Sequence, residues 1–317
     1  MKIGYPCINR TLECKGNRTF RLRSYSERRL LETLAGNLAC LAEVLRYNVE
    51  HGLLFFRISS DVVPFASHPV NSFAWWEHFR PQLVALGAFV LSHQMRISMH
   101  PDQFTLLNAL DDTIAASSIA ELRYHTRLLD TMGLDSSAKV QIHIGGVYGD
   151  RTASMKRFSE RYAELEQPIR ARLVIENDHI SYPLADCMRI HEATGVPVLF
   201  DVFHHRGKNE GEHWETALQT AARTWRDRDG LPMVDYSSQK PGGRRGEHVE
   251  HIDLTDWRVF LQGSHDVDAD VMLEVKDKER SALLALEAAA GDERLSTLHS
   301  ERALGAVPES PEGESPS

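Results

Sequence analysis

Residues 95–104 read MRISMHPDQF. Ile97 and Met99 alternate with Arg96 and Ser98, the period-2 signature of a strand, and the pattern then breaks into the polar turn His100-Pro101-Asp102-Gln103. A strand that leaves the core and ends on an imidazole decides little alone. The decisive question is whether other strands in the chain end the same way.

Seven further stretches have strand character: 2–6 (KIGYP), 53–60 (LLFFRISS), 139–146 (KVQIHIGG), 172–178 (RLVIEND), 197–205 (PVLFDVFHH), 231–238 (LPMVDYSS) and 271–277 (VMLEVKD). Helical periodicity fills the intervals. In residues 26–52, Leu30, Leu31, Leu34, Leu38, Leu41 and Leu45 form an apolar stripe, and Gly52 is a stop signal. Further helices are expected near 73–87, 113–132, 152–169, 182–194, 213–227 and 277–290. Strands alternating with helices imply βαβ units and a parallel sheet. Eight repeats over about 290 residues fit an α/β (β/α)8 TIM barrel. A doubly wound sheet is the alternative, weakened by the lack of a GxGxxG loop after the first strand. The reading is a single catalytic domain over 1–290, followed by a C-terminal extension, 291–317. That extension is expected to be disordered from about 305, because GAVPESPEGESPS holds nothing large enough to bury.

Composition narrows the class. The chain has 317 residues, 42% of them hydrophobic, a mean hydropathy of −0.35, and no apolar run near the ~20 residues of a membrane span. Its start lacks the apolar segment of a secretory signal, so a cytoplasmic location is expected. The four cysteines, Cys7, Cys14, Cys40 and Cys187, are scattered, and no disulfide framework is expected from them. Net charge is −9, but it is unevenly spread. Lys2, Arg10, Lys15, Arg18, Arg21, Arg23, Arg28 and Arg29 face only Glu13 and Glu27 in the first thirty residues, and residues 240–245 read KPGGRR. Screening limits the reach of distant charge to about 8–10 Å, so such patches can hold phosphates on an acidic protein.

In chain order the strands end at Tyr5, Ser59/Ser60, His100, His143, Glu176, Asp201 with His204, Asp235 and Glu274. In a barrel these ends converge on one face, where active sites lie. Crowded carboxylates repel, and burying them unpaired costs several kcal/mol each; divalent cations remove that cost. Mixed imidazole and carboxylate donors suit Zn²⁺, Mn²⁺ or Fe²⁺ better than Ca²⁺ or Mg²⁺. The number of donors exceeds what one ion needs, so a cluster of two or three ions is inferred, with Glu176 as the bridging ligand. His68 and His248 add loop candidates. Such a cluster hydrolyses phosphodiesters; sugar isomerisation is the competing chemistry. The rim favours the first. Phe104 can stack on a base while Gln103 fills the gap left in a duplex, and Arg10 and the segment carrying Lys240, Arg244 and Arg245 bring positive charge to the same mouth.

Taken in order, IGYPCIN, RISMHPDQF, IHIGG, VIENDH, FDVFHH, DYSSQ…GEH and LEVKDKE resemble the UV damage endonuclease family, relatives of endonuclease IV, over residues 1 to about 290. The resemblance implies a TIM barrel with a manganese cluster that nicks double-stranded DNA immediately 5′ of cyclobutane pyrimidine dimers and 6-4 photoproducts, with zinc as the alternative ion and a monomer as the expected state. It implies His68, His100, His143, Glu176, Asp201, His204, His248 and Glu274 as ligands, with Glu176, His143 and His68 carrying the chemistry. Tyr5 and Asn9 would contact the damaged strand. Gln103 and Phe104 resemble a Gln-Tyr probing pair, with the phenol lost. At the seventh strand Met233 stands where members carry a carboxylated lysine, and Asp235 where they carry a histidine; Asp235 is kept as a hard-ion ligand.

Overall fold

A computed structural model describes residues 1–296 of the chain. Eight short parallel strands close into a barrel in sequence order: β1 Ile3–Pro6, β2 Phe55–Ile58, β3 Arg96–Met99, β4 Lys139–His143, β5 Leu173–Glu176, β6 Val198–Asp201, β7 Met233–Tyr236 and β8 Asp270–Leu273. Closure comes from the pairing of β1 with β8, Ile3 opposite Val271 and Gly4 opposite Met272. The TIM-barrel reading therefore holds and the doubly wound alternative falls. The reading of residues from about 305 as disordered lies outside the described residues.

Strand alternation splits each strand between two environments. Ile97, Val140, Ile142 and Ile175 face outward, into the apolar layer shared with the helices. That layer is built as the periodicity predicts: in helix Glu27–Glu50, capped by Ser26, the side chains of Leu30, Leu34, Leu38, Leu41 and Leu45 are buried. The other face of the strands fills the lumen in tiers. At the floor, Lys139 donates to Asp229 at 2.5 Å and Arg96 to Asp270 at 3.3 Å. Above lies a dry layer of Phe55, Val174, Leu199, Met233 and Met272. The mouth above that layer is polar.

Several local expectations are corrected. The helix expected over 73–87 is two, Trp75–His78 and Arg80–Ser92, with Pro81 in the first turn of the second. Helix Leu254–Gly263, capped by Asp253 and packed through Trp257, Phe260 and Leu261, was missed although it shows i, i+3, i+4 spacing. The strand expected over 197–205 stops at Asp201, whose side chain caps helix Val202–Gly207 by accepting from His204 N at 2.7 Å. His204 and His205 diverge on a helical turn, not on an extended pleat. Cys14 and Cys40 form a disulfide with Cα atoms 5.6 Å apart, contrary to the expectation of none. The loop after β1 folds back along helix Glu27–Glu50 and brings together residues 26 apart in sequence.

Lys139→Met should test the floor. It leaves the Asp229 carboxylate buried without its ammonium partner, and urea denaturation should show a loss of about 3–5 kcal/mol.

Candidate metal centre at the barrel mouth

Each inward-facing residue near a strand's C-terminal end points into the same mouth, which is why residues far apart in sequence meet. Three groups of side chains each bring their ligand atoms within 4.8 Å of one another: His100, His143 and Glu176; Glu176, Asp201 and His204; and Asp201, Asp235 and Glu274. The groups share members and form a continuous chain through Glu176 and Asp201. His204 Nδ1 lies 3.0 Å from Glu176 Oε1 and 3.3 Å from Asp201 Oδ2, and His100 Nε2 lies 3.5 Å from Glu176 Oε2. Gly145 adopts φ +115, and a Cβ there would sit 2.3 Å from Asn108 Oδ1. Only glycine lets the chain turn away this soon after His143.

The electrostatics show a site short of positive charge. Burial pushes the Asp201 carboxyl well above its usual range. Burial also works against a charged His204, yet Asp201 and Glu176 raise that imidazole to about 11. Burial would raise Glu274 as well, but Arg57 holds it at about 2. The donor set fits divalent transition ions. Among the described residues, His100 and His143 each keep a buried Nδ1 with no hydrogen-bond partner, and His100 pairs with Glu176. The carboxylates call for positive charge, and a neutral imidazole offers a lone pair to a metal ion or a hydrogen-bond donor.

Other expected residues fall elsewhere. His68 is exposed on the loop after β2 and accepts from Val70 N at 3.0 Å through Nδ1; it is outside the three groups. His248 borders Glu274, with Nδ1 2.7 Å from the Glu274 carbonyl oxygen, but is also outside them. Asp235 is fully buried, and both of its oxygens accept from Arg57 Nη2, at 2.6 and 2.7 Å. Its carboxylate is thus in an ion pair as well as in the third group.

At the rim, Gln103 and Phe104 border an open cavity of about 610 Å³ whose lining also includes Arg57, His100, His143, His248 and Glu274. Phe104 is 71% exposed, which excludes a core role. Tyr5 and Asn9 are corrected. Tyr5 faces the helix layer, fully buried, and donates to Asn48 Oδ1 at 2.7 Å; Asn9 donates to the Tyr5 hydroxyl at 2.9 Å and accepts from Thr11 N and Leu12 N. The pair holds the first loop in shape, with Tyr5 turned away from the mouth and Asn9 lining a separate cavity beside Arg10. Lys240 is also corrected: its ammonium is bound by Glu247 at 2.8 Å and Glu250 at 3.2 Å. Arg10 and Arg244 are exposed with no ion pair among the described residues, as are Lys15, Arg18, Arg21 and Arg23. Arg245 is exposed and donates to the Gly207 carbonyl.

The sequence pattern of the UV-endonuclease UvdE family matches residues 1–300. The chain belongs to that family. A UV DNA damage endonuclease of Clostridium perfringens (strain 13 / Type A) is 33% identical over 285 residues, covering 89% of this chain and 69% of the relative. The crystal structure of SacUVDE superposes with a TM-score of 0.89 at 42% identity, covering 93% of this chain and 100% of that one. Endonuclease IV from Thermus thermophilus shares the fold, with a TM-score of 0.57 at 16% identity over 79% of this chain and 93% of its own.

This UvdE-family chain also contains site residues that sequence reading passed over. Gln141, on the inner face of β4 between Lys139 and His143, donates to Glu176 at 2.9 Å and Asp235 at 2.7 Å. The alternation of KVQIH was its signal. His179 lies with its ring centroid 4.9 Å from that of His204 and a buried Nδ1 without a partner; its place just after β5 was the clue. Lys278 borders the mouth cavity with φ +62, its ammonium pushed down by burial. No helix among the described residues is long and apolar enough to cross a membrane.

Glu176→Gln should separate fold from ion binding. Because Glu176 belongs to two of the three groups, isothermal titration with manganese should show a loss of affinity greater than about tenfold, with an unchanged circular dichroism spectrum.

Proposed function

We propose that this chain is a metal-dependent DNA repair endonuclease that recognises UV photoproducts, cyclobutane pyrimidine dimers and 6-4 photoproducts, and hydrolyses the phosphodiester immediately 5′ of the lesion. The observation that carries the reading is the chain of ligand groups linked by Glu176 and Asp201, lying in a mouth bordered by an exposed aromatic ring. Membership of the UvdE family and the names of its relatives support it.

His100, His143, Glu176, Asp201 and His204 would hold manganese, with zinc the alternative. Bound there, the ions would polarise the phosphodiester and lower the pKa of water. The protein's own contribution is placement. The barrel fixes these five ligands at four neighbouring strand ends, so little reorganisation is needed when a phosphate arrives. Gln141 orients the Glu176 and Asp235 carboxylates from below. Phe104 can stack against a base exposed by a distorted duplex, a contact worth about 1–3 kcal/mol, and Gln103 beside it offers a planar amide to the gap. Exposed Arg10, Lys15, Arg18, Arg21, Arg23, Arg244 and Arg245 would bind the flanking phosphates, so affinity should fall as salt rises.

A nicking assay on supercoiled plasmid tests this reading. UV-irradiated plasmid should be cut in manganese and spared in EDTA, undamaged plasmid should survive, and the break should map immediately 5′ of the lesion. Cutting of abasic plasmid alone would instead indicate an abasic-site enzyme. The double change Gln103→Ala, Phe104→Ala should reduce preference for irradiated over intact DNA by roughly 5- to 150-fold, the equivalent of one lost stacking contact. Affinity for intact DNA should change far less.

A further inference from the structure

The third ligand group already contains a cation. Arg57, on the inner face of β2, is 2% exposed. Its Nη2 donates to both oxygens of Asp235 at 2.6 and 2.7 Å, and its Nη1 donates to Glu274 Oε1. Gln141 adds a further donor to Asp235 Oδ2 at 2.7 Å. Both oxygens of that carboxylate are therefore occupied by N–H donors. A divalent ion placed there would also lie against a guanidinium that cannot give up its proton.

The β7 side of this corner adds no donor to Asp201, Asp235 and Glu274. Met233 lies two residues before Asp235 on β7, in the dry layer with Phe55 and Met272, and a thioether is a poor donor for a hard ion. Charge gives the same count. With the ligands deprotonated, as ion binding requires, Glu176, Asp201, Asp235 and Glu274 bring four negative charges and Arg57 one positive, leaving −3. Two divalent ions bring +4 and leave +1, the charge that one phosphodiester neutralises.

We propose that Arg57 is a built-in cation standing in for a third metal ion. The chain then takes up two divalent ions, on His100/His143/Glu176 and on Glu176/Asp201/His204, and none on Asp235. The inference rests on the metal-dependent reading above but fails separately from it.

The test is metal content. Full-length protein is loaded with manganese, freed of excess ion by gel filtration and analysed by inductively coupled plasma mass spectrometry. The wild type should carry two ions per chain. Three ions would overturn the role of Arg57 and leave the metal centre standing; none would overturn the metal centre itself. Asp235→Asn keeps Arg57 paired with Glu274 and should still carry two; a fall to one would make Asp235 a ligand and refute the proposal. Arg57→Ala, where circular dichroism shows it folded, should rise to three, and a count unchanged at two would refute the blocking role. The Asp235→Asn measurement decides the matter even if Arg57→Ala does not fold.

Discussion

Four carboxylates meet within one narrow mouth, and much of the structure follows from how their charge is compensated there. Glu176, Asp201 and Asp235 are essentially buried, and Glu274 is partly so. Without compensation each would lose hydration worth several kcal/mol and repel its neighbours. The barrel answers with a guanidinium between Asp235 and Glu274, a buried amide bridging Glu176 and Asp235, and imidazoles on the remaining side. Burial works against a charged Glu176, yet His143, His100 and His204 hold its carboxyl well below the usual range, whereas burial leaves Asp201, the other shared residue, pushed well above its own.

The tiered lumen makes this arrangement possible in a small volume. Lys139 with Asp229 and Arg96 with Asp270 close the floor, and the apolar layer above them separates that charge from the mouth. A low-dielectric layer between two charged tiers strengthens pairing within each and keeps water from entering from below. The same layer places Met233 beneath Asp235, so β7 adds no second donor to the corner held by Arg57. Gln141 belongs to both tasks, since β4 presents Lys139 to the floor, Gln141 to the middle and His143 to the mouth.

Around the mouth, charge and shape divide the work. Exposed arginines and Lys15 on the first loop, with Arg244 and Arg245 after β7, give an acidic protein two exposed basic segments. Phe104 supplies an exposed apolar surface beside the mouth cavity. Tyr5 and Asn9, although close in sequence to Arg10, serve the scaffold: their hydrogen bonds join β1 to helix Glu27–Glu50 and shape the loop that carries the cations, and the Cys14–Cys40 disulfide fastens the same loop to the same helix.

Barrel architecture was legible in the chain because it depends on period and order, which are local: alternation in RISM and KVQIH, a 3–4 stripe from Leu30 to Leu45, and eight repeats. The strand-end residues from His100 to Glu274 were legible for the same reason, since closure of a parallel barrel places all such ends on one face whatever lies between them. Partnership was not legible. Arg57 reads as an ordinary residue of FFRI, and only the packed lumen shows that its guanidinium meets carboxylates 178 and 217 positions away. Tyr5 reads as a strand-end rim residue, and only the helix layer reveals Asn48 as the partner of its hydroxyl. Cys14 and Cys40 look unrelated until the first loop folds back. Sequence carries which way a side chain points along its own element; which charge it meets there is set by the three-dimensional closure, because Coulomb and hydrogen-bond energies depend on distances in space that spacing along the chain does not encode.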